Sequence, residues 1–302
     1  MLEPHDDLRH DIGDDPEARE SIAWNLVFPE HDVFGFGYFT RKANDESTRI
    51  LGLFDPDGGI TMEAASDQPL EGTDLDDFTV DGMHIAQPDR LSSMTVSFAG
   101  ERLSLDYSFA AMHEAWSYAH HGDGCPSPVA TNRFEQCGRI RGTLTIDGQE
   151  IPFDTTGHRD HSWGVRDYDA IIHWNWVSAQ AGPDLSIHAN HTWFQGKQYT
   201  NGYVFRDGTL SPVVDLKIRA SYDEQLRPLT AEFQLLDEAG RTTAAESEYF
   251  AGGFVAPFGD FVWSETGCRF SLEGQDGVGM FEQGWQAADI EHLRKGRRVE
   301  TP

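Results

Sequence analysis

The segment Gly157-His-Arg-Asp-His-Ser-Trp-Gly-Val-Arg-Asp167, followed by His173-Trp-Asn-Trp176, gathers side chains that could do chemistry. Five of the 13 histidines and four of the eight tryptophans fall between positions 158 and 193. Both residue types are costly to bury without a partner, so a fold that packs them together must satisfy each N–H or turn it toward a ligand. His158 and His161 titrate near neutrality unless perturbed. Asp160 and Asp167 can fix an imidazole tautomer or keep it protonated as an acid. Arg159 and Arg166 can pair those carboxylates or clamp an oxyanion. Trp163, Trp174 and Trp176 offer faces to an apolar substrate or a developing cation, and His173, His188 and Trp193 extend the set. In an extended strand 158 and 160 share one face and 159 and 161 the other. The two histidines of the motif therefore meet in one cavity only if the backbone bulges or turns between them.

Other chemistries fit less well. Asp–Arg and Asp–His pairs could simply brace a barrel mouth. A metal site from His158, Asp160 and His161, with His188 or His191, lacks the H-E-x-x-H spacing, so no metal is expected. Ser162 lies beside His161, but G-x-S-x-G is missing. Cys125 has no evident activating neighbour beyond His120 and His121. Gly252-Gly253 and Asp276-Gly-Val-Gly279 follow no βαβ pattern, which argues against phosphate cradling. No cofactor is expected.

The elements around these residues read as β almost throughout. Val33-Phe-Gly-Phe-Gly-Tyr-Phe39 alternates with period two and calls for small residues on one face. Leu91–Phe98 and Leu103–Phe109 alternate as well, across a short Gly-containing loop. Asp147-Gly148 and Asp207-Gly208 sit between apolar alternations, the strongest short-range hairpin signal. Asp55–Gly59 and Asp237–Gly240 read as turns too. Many hairpins and no long 3.6-period stretch predict an antiparallel all-β barrel or sandwich with few helices. The one helix expected is Ala287–Arg298. Ala181-Gly-Pro-Asp184 is either a hairpin loop or the junction between halves.

Composition bounds the partners. The chain has 302 residues, 51 Asp plus Glu against 23 Lys plus Arg, and a formal charge of −28. Such a surface repels phosphate backbones and anionic membranes, so neither nucleic-acid binding nor membrane insertion is expected. The first twenty residues are strongly acidic and read as a solvated, partly ordered lead-in. The N-terminus lacks a signal-peptide layout, and three cysteines without C-x-x-C spacing fit a reducing cytoplasm.

The G-H-R-D-H-S-W-G-x-R-D string resembles the AttH / carotenoid 1,2-hydratase group of lipocalin-like proteins. Ile22-Ala-Trp-Asn-Leu-Val-Phe28 and Met280-Phe-Glu-Gln-Gly-Trp285 strengthen the likeness. The resemblance implies two consecutive antiparallel lipocalin-like β-barrels with a ligand cavity at or near their junction. The expected division is residues 21–182 and 183–302, after the lead-in of 1–20. It further implies that His161-Ser162-Trp163 matches a catalytic His-x-Trp element, with an acidic partner at Asp167 or Asp169. The expectation is cofactor-independent acid–base chemistry (hydration, dehydration, isomerisation or cyclisation) on an isoprenoid-, steroid- or polycyclic-like molecule. His158, Asp160, His161 and Asp167 would be catalytic. Trp163, Trp174, Trp176, Arg159, Arg166, His173, His188 and Trp193 would bind substrate. The rival is a carrier or sensor for a hydrophobic metabolite, and a monomer or homodimer is expected.

Overall fold

Strand formation follows the turn chemistry. Asp147 and Gly148 both hold positive φ, 49° and 83°, as do Asp207 and Gly208 at 51° and 75°. A two-residue type I′ turn requires that pairing. The computed structural model describes residues 2–224, 226–258 and 260–290, without the side chains of 254–258.

The first sheet contains β1 (Ala18–Phe28), β2 (Val33–Lys42), β3 (Glu46–Phe54), β4 (Ile60–Pro69), β5 (Asp77–Val80) and β6 (Met83–Ala86). It continues with β7 (Ser93–Ala99), β8 (Leu103–Ala111), the short β9 (Trp116–Ser117), β10 (Asn132–Ile146) and β11 (Gln149–Val165). All neighbours are antiparallel, in the order β4-β3-β2-β1-β11-β10-β8-β7-β6-β5, with β9 on β10. The sheet nearly closes on itself: beyond β4, Glu71 exchanges two backbone hydrogen bonds with Thr79 of β5, at 2.9 and 2.7 Å.

The second sheet is a closed eight-stranded antiparallel barrel. It runs β12 (Ile171–Gln180), β13 (Leu185–Phe194), β14 (Lys197–Arg206), β15 (Thr209–Tyr222), β16 (Pro228–Asp237), β17 (Thr242–Phe258), β18 (Phe261–Leu272) and β19 (Gln275–Gln286). The fold is thus nearly all-β, with two barrel-like sheets in sequence. Ala181–Asp184 forms the β12–β13 hairpin, closed by Ala181 N–H to Leu185 C=O at 2.9 Å. The change of sheet falls between Val165 and Ile171, upstream of the expected 182/183 division, because β12 pairs with β13 and β19. Residues 287–290 are helical; the rest of the expected 287–298 helix lies outside the described residues. No described helix is long and apolar enough to cross a membrane.

Among the apolar clusters of the described residues, three are the largest. One fills the first sheet, around Trp24, Phe39, Phe78, Tyr107 and Phe109. A second fills the barrel, around Ile187, Phe233, Phe270 and Phe281. The third joins them: Phe34 and Phe54 of the first sheet pack with Trp174, Trp176, Phe261 and Trp263 of the barrel. The small residues of β2 have a steric cause. A Cβ on Gly37 would stand 2.0 Å from the Trp24 ring, and one on Gly35 would meet the Gly52 carbonyl at 2.4 Å.

The acidic N-terminal stretch is packed rather than solvated at its key points. Asp7 is wholly buried, held by both Arg159 guanidinium nitrogens at 3.3 and 3.1 Å, and accepts from Leu91 N–H at 2.5 Å. A carboxylate is buried at tolerable cost only when so paired.

Candidate active site

The long strand β11 divides the motif between its two faces. It lies between β1 and β10, with unbroken register to β1 from Trp24↔Arg159 to Ala18↔Val165. No bulge intervenes, so the alternation is kept. His158, Asp160 and Ser162 point toward the barrel. They line a cavity of about 170 Å³ between the two sheets, with Trp24, Phe36, Tyr38, Arg133, Arg166, Tyr168, Trp174, Trp176, Trp263, Glu265, Met280 and Glu282 among its other walls.

Arg159, His161 and Trp163 point the other way, into the first sheet. Arg159 bonds Asp7, Gln87 at 2.9 Å and Gln136 at 3.0 Å. His161 Nε2 meets Glu20 at 3.0 Å, and Trp163 stacks on His10 with centroids 3.6 Å apart. The expected union of both histidines in one cavity therefore does not occur, and the His-x-Trp element lies outside it. Asp167 is exposed; its carboxylate accepts from Ala170 N–H at 3.2 Å and caps a 3-10 turn at Tyr168–Ala170. His173 and Trp193 pack together elsewhere in the barrel, with His191 and Trp285. Of the expected site residues, the structure brings His158, Asp160, Arg166, Trp174 and Trp176 to the cavity and sets His188 next to them.

Three acids complete this site that the motif does not contain. Glu135 on β10 is fully buried. It accepts from His158 Nε2 at 2.7 Å, Arg133 Nε at 2.5 Å, Trp176 Nε1 at 3.1 Å and Tyr118 Oη at 3.1 Å. Burial opposes its charge, but Arg133, His188 and His158 hold it well below the usual carboxylate range. Glu265 and Glu282 face each other directly across β18–β19. Directly opposed cross-strand residues stand close enough to interact, and two carboxyls so placed cannot both ionise cheaply. Burial and the Glu282 charge push Glu265 well up, and burial raises Glu282 to about 7. The Trp174 indole N–H donates to Glu282. Asp160, 3.1 Å from Arg133, is raised by burial to about 6 despite that pairing, with the nearby Glu135 charge adding to the rise. The cavity thus offers a carboxyl pair that keeps a proton near neutrality, a separate carboxylate, and four tryptophan side chains, Trp24, Trp174, Trp176 and Trp263.

Cys137, absent from the sequence-based candidates, lies on the same face of β10 as Arg133 and Glu135. Tyr203 Oη and Gln180 Nε2 both approach its sulfur at 3.1 Å, and His158 Nδ1 at 3.3 Å. Convergent donors favour a thiolate. Burial would raise the thiol, but His158 beside it brings it down to about 5. Burial likewise disfavours the His158 cation, and Cys137 with Glu135 reverses this, raising His158 to about 9. His188, by contrast, is driven by burial to about 3 and is neutral. Replacing Cys137 with Ala is expected to lower the His158 titration by a unit or more and to abolish a thiolate ultraviolet band. An imidazole NMR titration unchanged in Cys137→Ala would show that the sulfur does not hold that charge.

Among the described residues, two sets place three metal-capable donor atoms within 4.8 Å of one another: Glu135, His158 and His188, and His10, Glu20 and His161. Glu135 already accepts from four protein donors, and Glu20 from Arg41 at 2.7 Å and from both histidines. Neither carboxylate needs a cation for its charge.

The sequence profile of a domain of unknown function, DUF7064, matches residues 3–287. The chain belongs to the DUF7064 family. No curated protein sequence matches it. The solved structures that share the fold of this DUF7064 chain include the following. A protein described as AttH (NE1406) from Nitrosomonas europaea superposes with a TM-score of 0.64 at 13% identity, covering 94% of this chain and 96% of that one. CghA gives 0.60 at 13% identity, covering 90% and 89%. Kievitone hydratase from Nectria haematococca gives 0.59 at 10% identity, covering 91% and 90%. The DUF7064 chain therefore has the AttH/carotenoid-hydratase-like lipocalin fold that the resemblance implied.

Proposed function

We propose that this protein is an acid–base enzyme acting on a hydrophobic small molecule in the cavity between its two sheets. The observation that carries the reading is the Glu265–Glu282 pair facing Asp160 across a cavity walled by Trp174, Trp176 and Trp263. A carboxyl that stays protonated at neutral pH is the general acid such chemistry needs. In the hydration direction the Glu282 carboxyl gives its proton to an alkene carbon. Indole faces stabilise the resulting cation by about 0.5–2 kcal/mol per contact. Water adds to the cation and its proton passes to the Asp160 carboxylate. Dehydration runs the same steps backward; loss of a different proton from the cation gives isomerisation, and attack of a second double bond of the same molecule on the cation, followed by proton loss to the Asp160 carboxylate, gives cyclisation. His158, fixed between Glu135 and Cys137, sets the field around Asp160. The fold lends support: one protein that shares it is named a hydratase, and CghA is also known in a structure with Sch210972.

The test is turnover of apolar alkenes and alcohols in deuterated water. Deuterium is expected at carbon in the product, since the transferred proton comes from an exchangeable acid. Ala23 lines the cavity, and Ala23→Phe should fill it, cutting turnover at least about ten-fold for an overpacking cost of about 1–3 kcal/mol. Full activity in a folded Ala23→Phe protein would place the chemistry elsewhere. A carrier would bind such molecules without exchanging hydrogen.

A further inference from the structure

The cavity wall holds a further polar group, Arg166, that proton transfer leaves unused. Arg166, just past β11, is buried and lines the cavity. Its Nη1 donates to Tyr168 Oη at 2.9 Å; its Nη2 donates to Ser162 Oγ at 2.7 Å, to Ser21 Oγ at 3.2 Å and to the Ser162 carbonyl at 3.4 Å. Every one of these acceptors is uncharged. The other buried arginines each meet an acid: Arg41 meets Glu20, Arg49 meets Asp81 and Arg159 meets Asp7. Arg166 alone among them has no carboxylate in ion-pair contact among the described residues, and its Nε–H has no acceptor. Two more buried donors on the same walls, Trp24 Nε1 and Asn25 Nδ2, also lack one.

Asp160 feels the Arg166 charge but is not bonded to it; a buried guanidinium with no carboxylate in contact is costly, and orphaned donors add to the cost. The acidic pair takes its main cationic field from Arg133, so Arg166 is not spent on neutralising it. A ligand that supplied a negatively charged oxygen would relieve the guanidinium and its free Nε–H together. We propose that Arg166 forms an anion subsite, and that the substrate is an apolar organic acid whose carboxylate or ionised enol seats on Arg166 while its hydrocarbon part lies against the tryptophans. This inference rests on the reading that the inter-sheet cavity is the substrate site, and it adds the polarity and orientation of the substrate.

The subsite is tested by calorimetric binding of 2-naphthoate and its neutral analogue 2-naphthamide to the full chain at neutral pH. Wild type is expected to prefer the acid by about ten-fold or more, the size of one charge-assisted contact. Arg166→Gln should bring the ratio to about one while the amide binds within about two-fold of wild type. Ala23→Phe, as the control for location, should weaken both compounds. Equal binding of both compounds to wild type, binding of neither, or a preference that survives Arg166→Gln would overturn the subsite. Where Arg166→Gln does not fold, Arg166→Lys replaces it. A point charge without the fork should shrink the preference at least about three-fold, and an unchanged ratio overturns the proposal. Proton transfer is read separately, by turnover of the Glu282 variant, so failure of one idea leaves the other standing.

Discussion

Replacing Glu282 with Gln is expected to cut turnover by about 10²–10⁴-fold, the usual contribution of a positioned general acid, with substrate binding retained. Gln keeps the shape and can still accept from Trp174, but it has no acidic proton to give. The pH profile should be a narrow bell. Activity rises as Asp160 loses its proton near 6 and falls as Glu282 loses its own near 7. The two limbs belong to an interacting set, so they are apparent values of the cluster. In Glu282→Gln the alkaline limb should disappear along with most of the rate. Infrared difference spectra offer a check that needs no substrate: the part of the protonated carboxyl absorption that titrates near 7 should be lost in the variant, while the Glu265 band remains. Wild-type turnover by Glu282→Gln would remove the acid from the mechanism and favour a carrier.

Stability should move in the opposite sense to activity. A carboxyl whose folded pKa is raised favours folding at low pH, and that advantage is lost as pH rises through the folded value. For Glu282 the loss begins above the ordinary Glu value and is complete above about 7. Glu282→Gln should therefore melt at the same temperature as wild type or higher at alkaline pH. Sites held in a costly state for function commonly show this trade. A variant both inactive and much less stable would instead mark Glu282 as a structural brace.

How much of this was legible beforehand depends on whether the cause was local. Asp147-Gly148 and Asp207-Gly208 announce hairpins because the constraint, positive φ at two adjacent residues, is written in those residues. The alternation of His158, Arg159, Asp160 and His161 already assigns them to opposite faces, and the structure keeps that division. The expectation that they converge required a bulge that β11 does not have. The composition of the motif suggests one polar cluster, whereas its periodicity yields two. Glu135, Glu265 and Glu282 were missed for a different reason. Each is one acid among 51, and what makes the latter two special is the register of β18 against β19 and the docking of β11 on the barrel. A local signal existed: Glu282 follows Phe281 and shares its strand face with Met280, where an inward-facing acid calls for a reason. Cys137 and Arg133 share a face with Glu135 by the same period-two rule, yet nothing nearby in sequence names His158 as their partner. Family resemblance conveyed the fold and the inter-sheet cavity. It also directed attention to His161 and Trp163, which here pack with Asp7, Glu20 and His10 inside the first sheet.

That second cluster should prove a structural latch. Arg159→Met is expected to cost about 3–5 kcal/mol, because it leaves the Asp7 carboxylate buried without its cation. In a chain of this size the melting temperature should fall by on the order of 10 °C. Removing both charges, Arg159→Met with Asp7→Leu, should recover most of the loss, as apolar replacements of buried pairs often do. The pH dependence has two sides. Asp7 and Glu20 are held below the ordinary range against the effect of burial, Asp7 chiefly by Arg159 and His161, Glu20 by His10, His161 and Arg41. Their contribution is present above the unfolded carboxylate value near 4 and is lost as pH falls below it. His161 is the converse. Burial opposes its charge, but Asp7 and Glu20 raise it to about 9. Its contribution is full below the unfolded value near 6.5 and disappears as pH climbs through about 9. Thermal melts should therefore show a loss between those two values, and His161→Gln should flatten it. The latch also ties residues far apart in sequence, since Asp7 reaches Arg159 while His10 covers Trp163. Deleting residues 2–10 should consequently reproduce the Arg159→Met loss and add little to it when the two are combined, because they remove the same pair. A full additive loss from the combination would show that Arg159 stabilises the sheet through Gln87 and Gln136 alone.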